Sequence, residues 1–288
     1  MTRSLRKKWR AYRRDPKSLL LFLSVCIAVL LTMLSLLFLV VYILVKGVPH
    51  LMPGLFAVRY TSENVSLLPA LINTLFMMLL SLLFAVPVGI GAAVYLTEYA
   101  RRGNKLVNLV GITAETLSGI PSIVYGLFGS LFFVKYLGLG LSLLSGALTL
   151  SIMILPLIMR TTEEALRGVP DSYREGSFGL GAGKLRTVFS VVLPSAVPGI
   201  LSGVILGIGR IVGESAALIF TAGTVAEIAT SLFSSARTLS VHMYSISGEG
   251  LYINQTYATA VVLLAVVVLI NALSGFAAKK IGGKNADG

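Results

Sequence analysis

Two charged residues stand where charge is expensive. Arg210 and Glu214 close an apolar stretch that also carries Gly199, Gly203 and Gly207, so that all five recur every three or four positions. In a helix that spacing sets them on nearly one face. The glycines would let a neighbouring helix approach closely, and charges within an apolar span turn toward a bundle interior or a wet cavity. Two chemistries fit. Arg210 and Glu214 could form an ion pair that locks helices together. Alternatively, Arg210 could offer its planar, permanently charged fork to a passing oxyanion such as phosphate. The spacing leaves both open.

Other chemistries are excluded by residue type. The only histidines are His50 and His242 and the only cysteine is Cys26, so no cluster has metal-ligand spacing and no intrachain disulfide can form. Gly183-Lys184 superficially suggests a phosphate loop. That motif needs Gly where Phe178 stands and Ser or Thr where Leu185 stands. The chain is therefore expected to bind no cofactor of its own and to perform no catalysis. Any ATP hydrolysis, with its Mg, must come from a separate ATPase chain.

The elements that position these residues are membrane spans. The sequence is 56% hydrophobic and 12% charged, with a mean hydropathy of +0.88. Soluble domains carry about twice that charged fraction. Eight cations between Arg3 and Lys17 abut an apolar run from Leu19 to Val45, which exceeds the roughly 7–15 residues of a signal-peptide core. Further spans are predicted near Leu68–Leu96, Val107–Tyr136, Leu141–Met159, Ala196–Thr221 and Tyr257–Ala278. The result is an all-α integral membrane protein of six transmembrane helices. It divides into a basic arm at 1–18, a membrane domain at 19–278 with a polar loop at about 160–195, and a tail at 279–288.

Threading those spans with the arm inside puts nineteen of the 24 Lys and Arg residues on one side. Only Lys46, Arg59, Lys135 and Arg237 fall on the other. That bias predicts cytoplasmic termini. Two outer segments follow, Lys46 to Leu67 and roughly Ala222 to Thr256, the second expected to lie along the bilayer surface or to receive a partner. Pro87, in the second span, and Gly119-Ile120-Pro121-Ser122, in the third, are expected to bend or interrupt their helices. Such breaks either line a pathway or are packing kinks.

The polar loop has its own pattern. Glu175-Gly176-Ser177 is followed after three residues by Gly181, and after nine more by Val191-Val192-Leu193-Pro194. Ser172 and Glu175 also have the spacing of a capping box, which would start a short helix that Gly181 ends. The spacing resembles the EAA-x3-G-x9-I-x-L-P loop of ABC importer permeases, with Gly176 and Ser177 in place of the two alanines and Val191 in place of isoleucine. With Asn73–Ala100, Gly119–Phe128 and Gly209-Arg210-Ile211-Val212-Gly213-Glu214, most of the chain, from about 20 to 278, is similar to the phosphate branch of that family.

The resemblance implies a type I importer permease fold in the bacterial inner membrane. It implies that the loop, including Ser172, Glu175, Gly176, Ser177, Gly181, Leu193 and Pro194, docks the ATPase, and that Arg210 and Glu214 matter for transport. The implied partners are a sister permease PstC, a PstB ATPase dimer and the phosphate-binding protein PstS. A permease for molybdate or sulfate, an ion-coupled secondary anion carrier and a membrane scaffold are the rival readings.

Overall fold

The structure, a computed structural model, describes residues 16–283 except 102 and 104; most of the basic arm and the end of the tail lie outside the described residues. Helices dominate, and no strand occurs among the described residues. Among the described residues five helices are long and apolar enough to cross a bilayer, and a sixth is reached if a sharply bent pair is counted as one span.

The first, α1 (Pro16–Gly47), stands at the edge. None of its apolar window is buried, against 67% for Leu143–Arg167, so that later helix is the axis of the fold and α1 its periphery. The C-terminal end of α1 meets the last helix through Tyr42 and Tyr257, whose rings lie 5.8 Å apart. α2 (Leu68–Val94) runs on through a π-helical turn, Tyr95–Tyr99. Of the bend or interruption expected at Pro87, the interruption does not occur: the helix runs through it. Its neighbours Ala85 and Gly89 are buried, and a Cβ on Gly89 would come within 2.9 Å of Ile158. Close packing on both sides of the proline carries the helix across the one missing hydrogen bond.

The third predicted span is broken as its sequence suggested, and more sharply. α3 (Lys105–Ser118) and α4 (Ser122–Gly129, continued by a π-helical stretch Ser130–Tyr136) meet at 104°. Gly119 and Pro121 act together here, because the residue before a proline is driven out of the helical region. The freed Leu117 carbonyl accepts from Ile120 N at 3.1 Å and from the Tyr125 hydroxyl at 2.7 Å.

α5 (Leu143–Arg167) opens at Ser142, whose hydroxyl accepts from Ser145 N at 3.2 Å. Met153, Ile154 and Ile158 of α5 form the main core with Met77 and Ala85 of α2. α6 (Asp171–Gly179) and α7 (Lys184–Thr187) form the polar loop. A π-helical turn, Val188–Val192, leads into α8 (Leu193–Gly213). The small residues of α8 do what their spacing predicted. A Cβ on Gly199 would come within 2.6 Å of Ala165, and one on Gly203 would collide with Thr161, both on α5.

α8 stops at Gly213, short of the expected Thr221. Glu214 is extended, at φ −76° and ψ 129°, and a single-turn helix α9 (Ala216–Ile219) follows. The segment after it was expected to lie along the bilayer surface or to receive a partner. Its two ends fold back into the bundle while Leu232 and Phe233 between them stay exposed, and α10 (Leu239–Glu249) and the final α11 (Ile253–Gly283) follow. Ala222, Ala236, Leu239, Val241 and Ile246 are fully buried. The cause is one side chain: buried Asn73 of α2 donates to the carbonyls of Glu227 (2.8 Å) and Arg237 (3.2 Å) and accepts from Ala229 N (2.9 Å). Thr74 adds a fourth bond, accepting from Leu239 N at 2.8 Å.

Candidate functional site

Arg210 occupies the last turn of α8 and is half-buried. Among the described residues it forms no ion pair with Glu214 or with any other carboxylate. The reason is the end of the helix. With Glu214 in extended backbone, its carboxylate turns to the next element, and Oε1 accepts from Ala217 N at 3.1 Å. The ion pair, one of the two readings that the spacing left open, is absent among the described residues. Glu214 instead satisfies an amide in the first turn of α9, and its own carbonyl accepts from the Ser240 hydroxyl at 2.5 Å.

α9 in turn holds the broken helix. A Cβ on Gly126 would lie 2.8 Å from Ala217 Cα, and Gly129 is pressed against Thr149 and Thr221. One turn of α4 thus carries Tyr125, buried, with its hydroxyl on the Leu117 carbonyl and within electrostatic reach of Arg210. Gly119 and Pro121 are exposed at the break, and Ser122 begins α4. Arg210, Glu214, Tyr125 and the broken-helix residues therefore belong to one neighbourhood, whereas Pro87 lies in an uninterrupted helix. Tyr125 is the member that spacing did not single out, although it sits four residues after Pro121.

Beside α3 the bundle opens into a polar cavity of 340 Å³ lined by Glu115, Arg160, Glu163, Glu164 and Arg167. Arg160 reaches Glu115 at 3.7 Å and Glu164 at 3.4 Å, all of them well exposed. Exposed pairs of this kind contribute little to stability.

The polar loop is a second site. α6 buries no residue. Its N-cap is Pro170, with no side-chain cap, so the capping box expected from Ser172 and Glu175 does not form and both side chains are exposed. The helix starts two residues earlier than that box would place it, with Pro170 at the N-cap and Asp171 supplying the first-turn carboxylate. The stop is as predicted: Gly181 takes φ +83°, a left-handed conformation, and Ala182 N returns to the Ser177 carbonyl at 3.1 Å. Gly176 is exposed.

Ser177 ties the loop together, its hydroxyl 2.8 Å from that of Thr187. Arg174 is the stronger anchor. Its guanidinium donates to Glu98 at 2.7 Å, to the carbonyls of Leu166 (2.9 Å) and Val169 (2.8 Å), and to Asp171 at 3.1 Å. The hydrogen bonds to Glu98 hold its proton more firmly than usual, burial opposing them only in part. Past the loop, Leu193 packs against the core formed by Val188, Val192 and Ala196, and Pro194 stands in the first turn of α8. What remains outside is apolar: Leu180 is 92% exposed, with Leu185, Phe178 and Tyr173 beside it. The turn thus presents exposed apolar side chains on an anchored base at the end of the bundle.

The fold and this loop define a polytopic membrane transport subunit built to be driven by a partner. The chain belongs to the family of binding-protein-dependent transport system inner membrane components, whose model matches residues 85–283. Among its relatives, the "Probable ABC transporter permease protein YqgI" of Bacillus subtilis (strain 168) is 35% identical over 230 residues, covering 73% of this chain and 76% of that protein. The "Phosphate transport system permease protein PstA 1" of Mycobacterium tuberculosis (strain H37Rv) is 40% identical over 154 residues, covering 54% of this chain and 49% of that one. The chain thus spans about half the length of that relative. In fold it is similar to a chain of a bacterial alginate ABC transporter, with a TM-score of 0.68 and 15% identity over 95% of this chain and 98% of that one.

Proposed function

We propose that this chain is the permease subunit of an ATP-driven importer of inorganic phosphate. The observation that carries the reading is Arg210: a half-buried guanidinium within a span, free of any carboxylate partner among the described residues, beside a helix broken at Gly119–Ser122. A permanent cation with an unspent bidentate fork suits a tetrahedral oxyanion. The start of α4 adds backbone N–H groups and the positive end of a helix dipole nearby. The relative named as a phosphate transport permease supports phosphate as the ion. Glu214 contributes by holding α9, and with it α4, in place.

In this reading the chain sits in a bacterial inner membrane with both termini in the cytoplasm, as the cation bias supports. It pairs with a sister permease of PstC type. A PstB-type ATPase dimer, which holds ATP and Mg, docks on the Asp171–Gly181 turn. A PstS-type binding protein delivers phosphate at the outer face. Closure of the ATPases pushes α6, and the two permeases rock between outward- and inward-facing states around Arg210.

The test is uptake of labelled phosphate by proteoliposomes containing the chain with its sister permease, ATPase and binding protein. Uptake should require internal ATP and should compete with arsenate but not with molybdate or sulfate. Uptake that proceeds without the ATPase would overturn the reading, and competition by molybdate or sulfate would reassign the anion.

A further inference from the structure

The loop that receives the ATPase must move something, and the structure points to what. α6 buries none of its own residues, so its position depends on a few side chains. Arg174 is the chief of them. Five of its hydrogen bonds leave α6 itself: three to the two carboxylate oxygens of Glu98 and two to the last carbonyls of α5 and the turn beyond it. The side chains of Arg174 and Glu98 are only 16% and 9% exposed, so the pair excludes most water and holds one geometry. Glu98 stands on the π-helical turn that ends α2.

At the far end of the same helix, Asn73 makes its three bonds to the 227–237 segment, and Thr74 makes a fourth to the start of α10. From Asn73 to Glu98 the helix rises about 37 Å at 1.5 Å per residue, close to the thickness of a bilayer. Between them α2 is fastened to α5: the Ser151 hydroxyl donates to the Ser81 carbonyl at 3.0 Å, and Gly89 is in close contact with Ile158. No loop and no helix break lies in this path.

We propose that α2 is the rod that carries displacement of the docking helix to the outer face, and that Glu98 and Asn73 are the positioning residues at its two ends. Glu98 receives the motion of α6 through Arg174, and Asn73 delivers it to the 222–239 segment that covers the opposite end of the bundle. This rests on the docking role of α6 put forward above. It assigns functions to two residues that touch neither ATPase nor anion.

The experiment uses the complete complex in nanodiscs, in a Cys26→Ser background. A fluorescent thiol reporter is placed at either of two exposed positions, Arg186→Cys just past the docking turn or Thr230→Cys on the outer segment. ATP with a hydrolysis inhibitor should change both signals in the otherwise unaltered complex. Glu98→Gln keeps the shape of the side chain but removes its charge, and Asn73→Ser removes the reach to the 227–237 segment without burying a charge, while Thr74 still holds the start of α10. Each should leave complex yield, ATP hydrolysis and the Arg186 signal near normal. Each should silence the Thr230 signal and lower phosphate imported per ATP by about tenfold or more, within the usual range of coupling between sites.

Yield, hydrolysis and uptake falling together would make Glu98 and Asn73 braces only and overturn the proposal. So would a Thr230 signal that still follows ATP in Glu98→Gln. A silent Arg186 signal in the unaltered complex would instead overturn the docking role itself.

Discussion

The carboxylate of Glu214 and the backbone amide of Ala217 are joined by a 3.1 Å hydrogen bond, and this short link decides what Glu214 is for. It fixes the first turn of α9 just where Ala217 meets Gly126 of α4. The glutamate therefore acts on the broken helix and leaves Arg210 unpaired.

Without an ion pair, single substitutions cannot rescue one another. Glu214→Gln retains an acceptor for Ala217 N and should assemble and transport nearly normally. Glu214→Leu loses the cap and should cost about 0.5–2 kcal/mol, read as a lower melting temperature of the complex. Arg210→Gln should assemble normally and abolish uptake, whereas Arg210→Lys keeps the charge without the fork and should be partly active at most. In the double variant Arg210→Leu, Glu214→Leu the stability losses should add. Complex yield and phosphate uptake measured together check all five. Restored stability or uptake in the double variant would argue for a lock between the two residues.

Gly181 is required for its backbone. A Cβ there would meet nothing within 4 Å, but φ is +83°. Gly181→Leu should therefore strain the turn by about 1–2 kcal/mol and lower phosphate imported per ATP. Gly181→Asn should stay close to the parent, since asparagine tolerates the left-handed region. Equal damage by both, measured as uptake and ATPase activity, would show that side-chain size matters more than conformation.

These features differed in how far the sequence showed them. The Glu175–Pro194 spacing and the Gly119-Ile120-Pro121 break were legible because their causes are local: a glycine that must turn left-handed, and a proline that forbids the preceding helix. Asn73, Glu98 and Arg174 were not. Each finds its partner 76 to 164 residues away, and no spacing within a helix reports such a pairing. The spacing of Arg210 and Glu214 left a pair and an anion site both open for a related reason. Helical spacing predicts a neighbour only while the helix continues, and α8 ends at Gly213. At Pro87 the helix continues past what local chemistry would break, with Gly89 packed closely on Ile158 just beyond it.

The glycine stripe of α8 makes unequal demands along its length. Gly203 faces Thr161 with no room for a Cβ, while the nearest atoms to a Cβ on Gly207 lie at 3.9 Å, on Ile158. Gly203→Ala should thus overpack the α5–α8 contact and cost about 1–3 kcal/mol. Gly207→Ala should be neutral or slightly stabilising, by up to about 1 kcal/mol. Melting temperatures of the two variants in detergent check the contrast, and similar losses in both would contradict the packing described.

Orientation can be read by labelling. With Cys26 replaced by serine, single cysteines at Ser62, Ser172 and Ser247, all exposed, should divide by side. An impermeant thiol reagent added to intact cells should label the Ser62 and Ser247 sites and spare Ser172. Labelling of the Ser172 site from outside would reverse the assignment of the docking loop to the cytoplasm.

The last expectation concerns acid. His242 of α10 is fully buried, 3.3 Å by Nδ1 from Arg237 and edge-on to Tyr60. Burial first, and then the Arg237 charge, lower its pKa from 6.5 to about 4, with a Val65 backbone contact opposing them weakly. The folded protein therefore holds a neutral ring that the unfolded chain would protonate below about pH 6.5. Since the unfolded state binds the extra proton, stability from this group is complete above pH 6.5 and declines as pH falls toward 4. The whole window corresponds to roughly 3 kcal/mol. His242→Gln can still accept from Arg237 but does not titrate. Melting temperature followed from pH 7 to pH 4 should fall less steeply in that variant than in the parent, while the two agree in shape above pH 6.5. Parallel curves across the whole range would mean that the ring binds its proton equally in the folded and unfolded chains and that its pKa is not lowered.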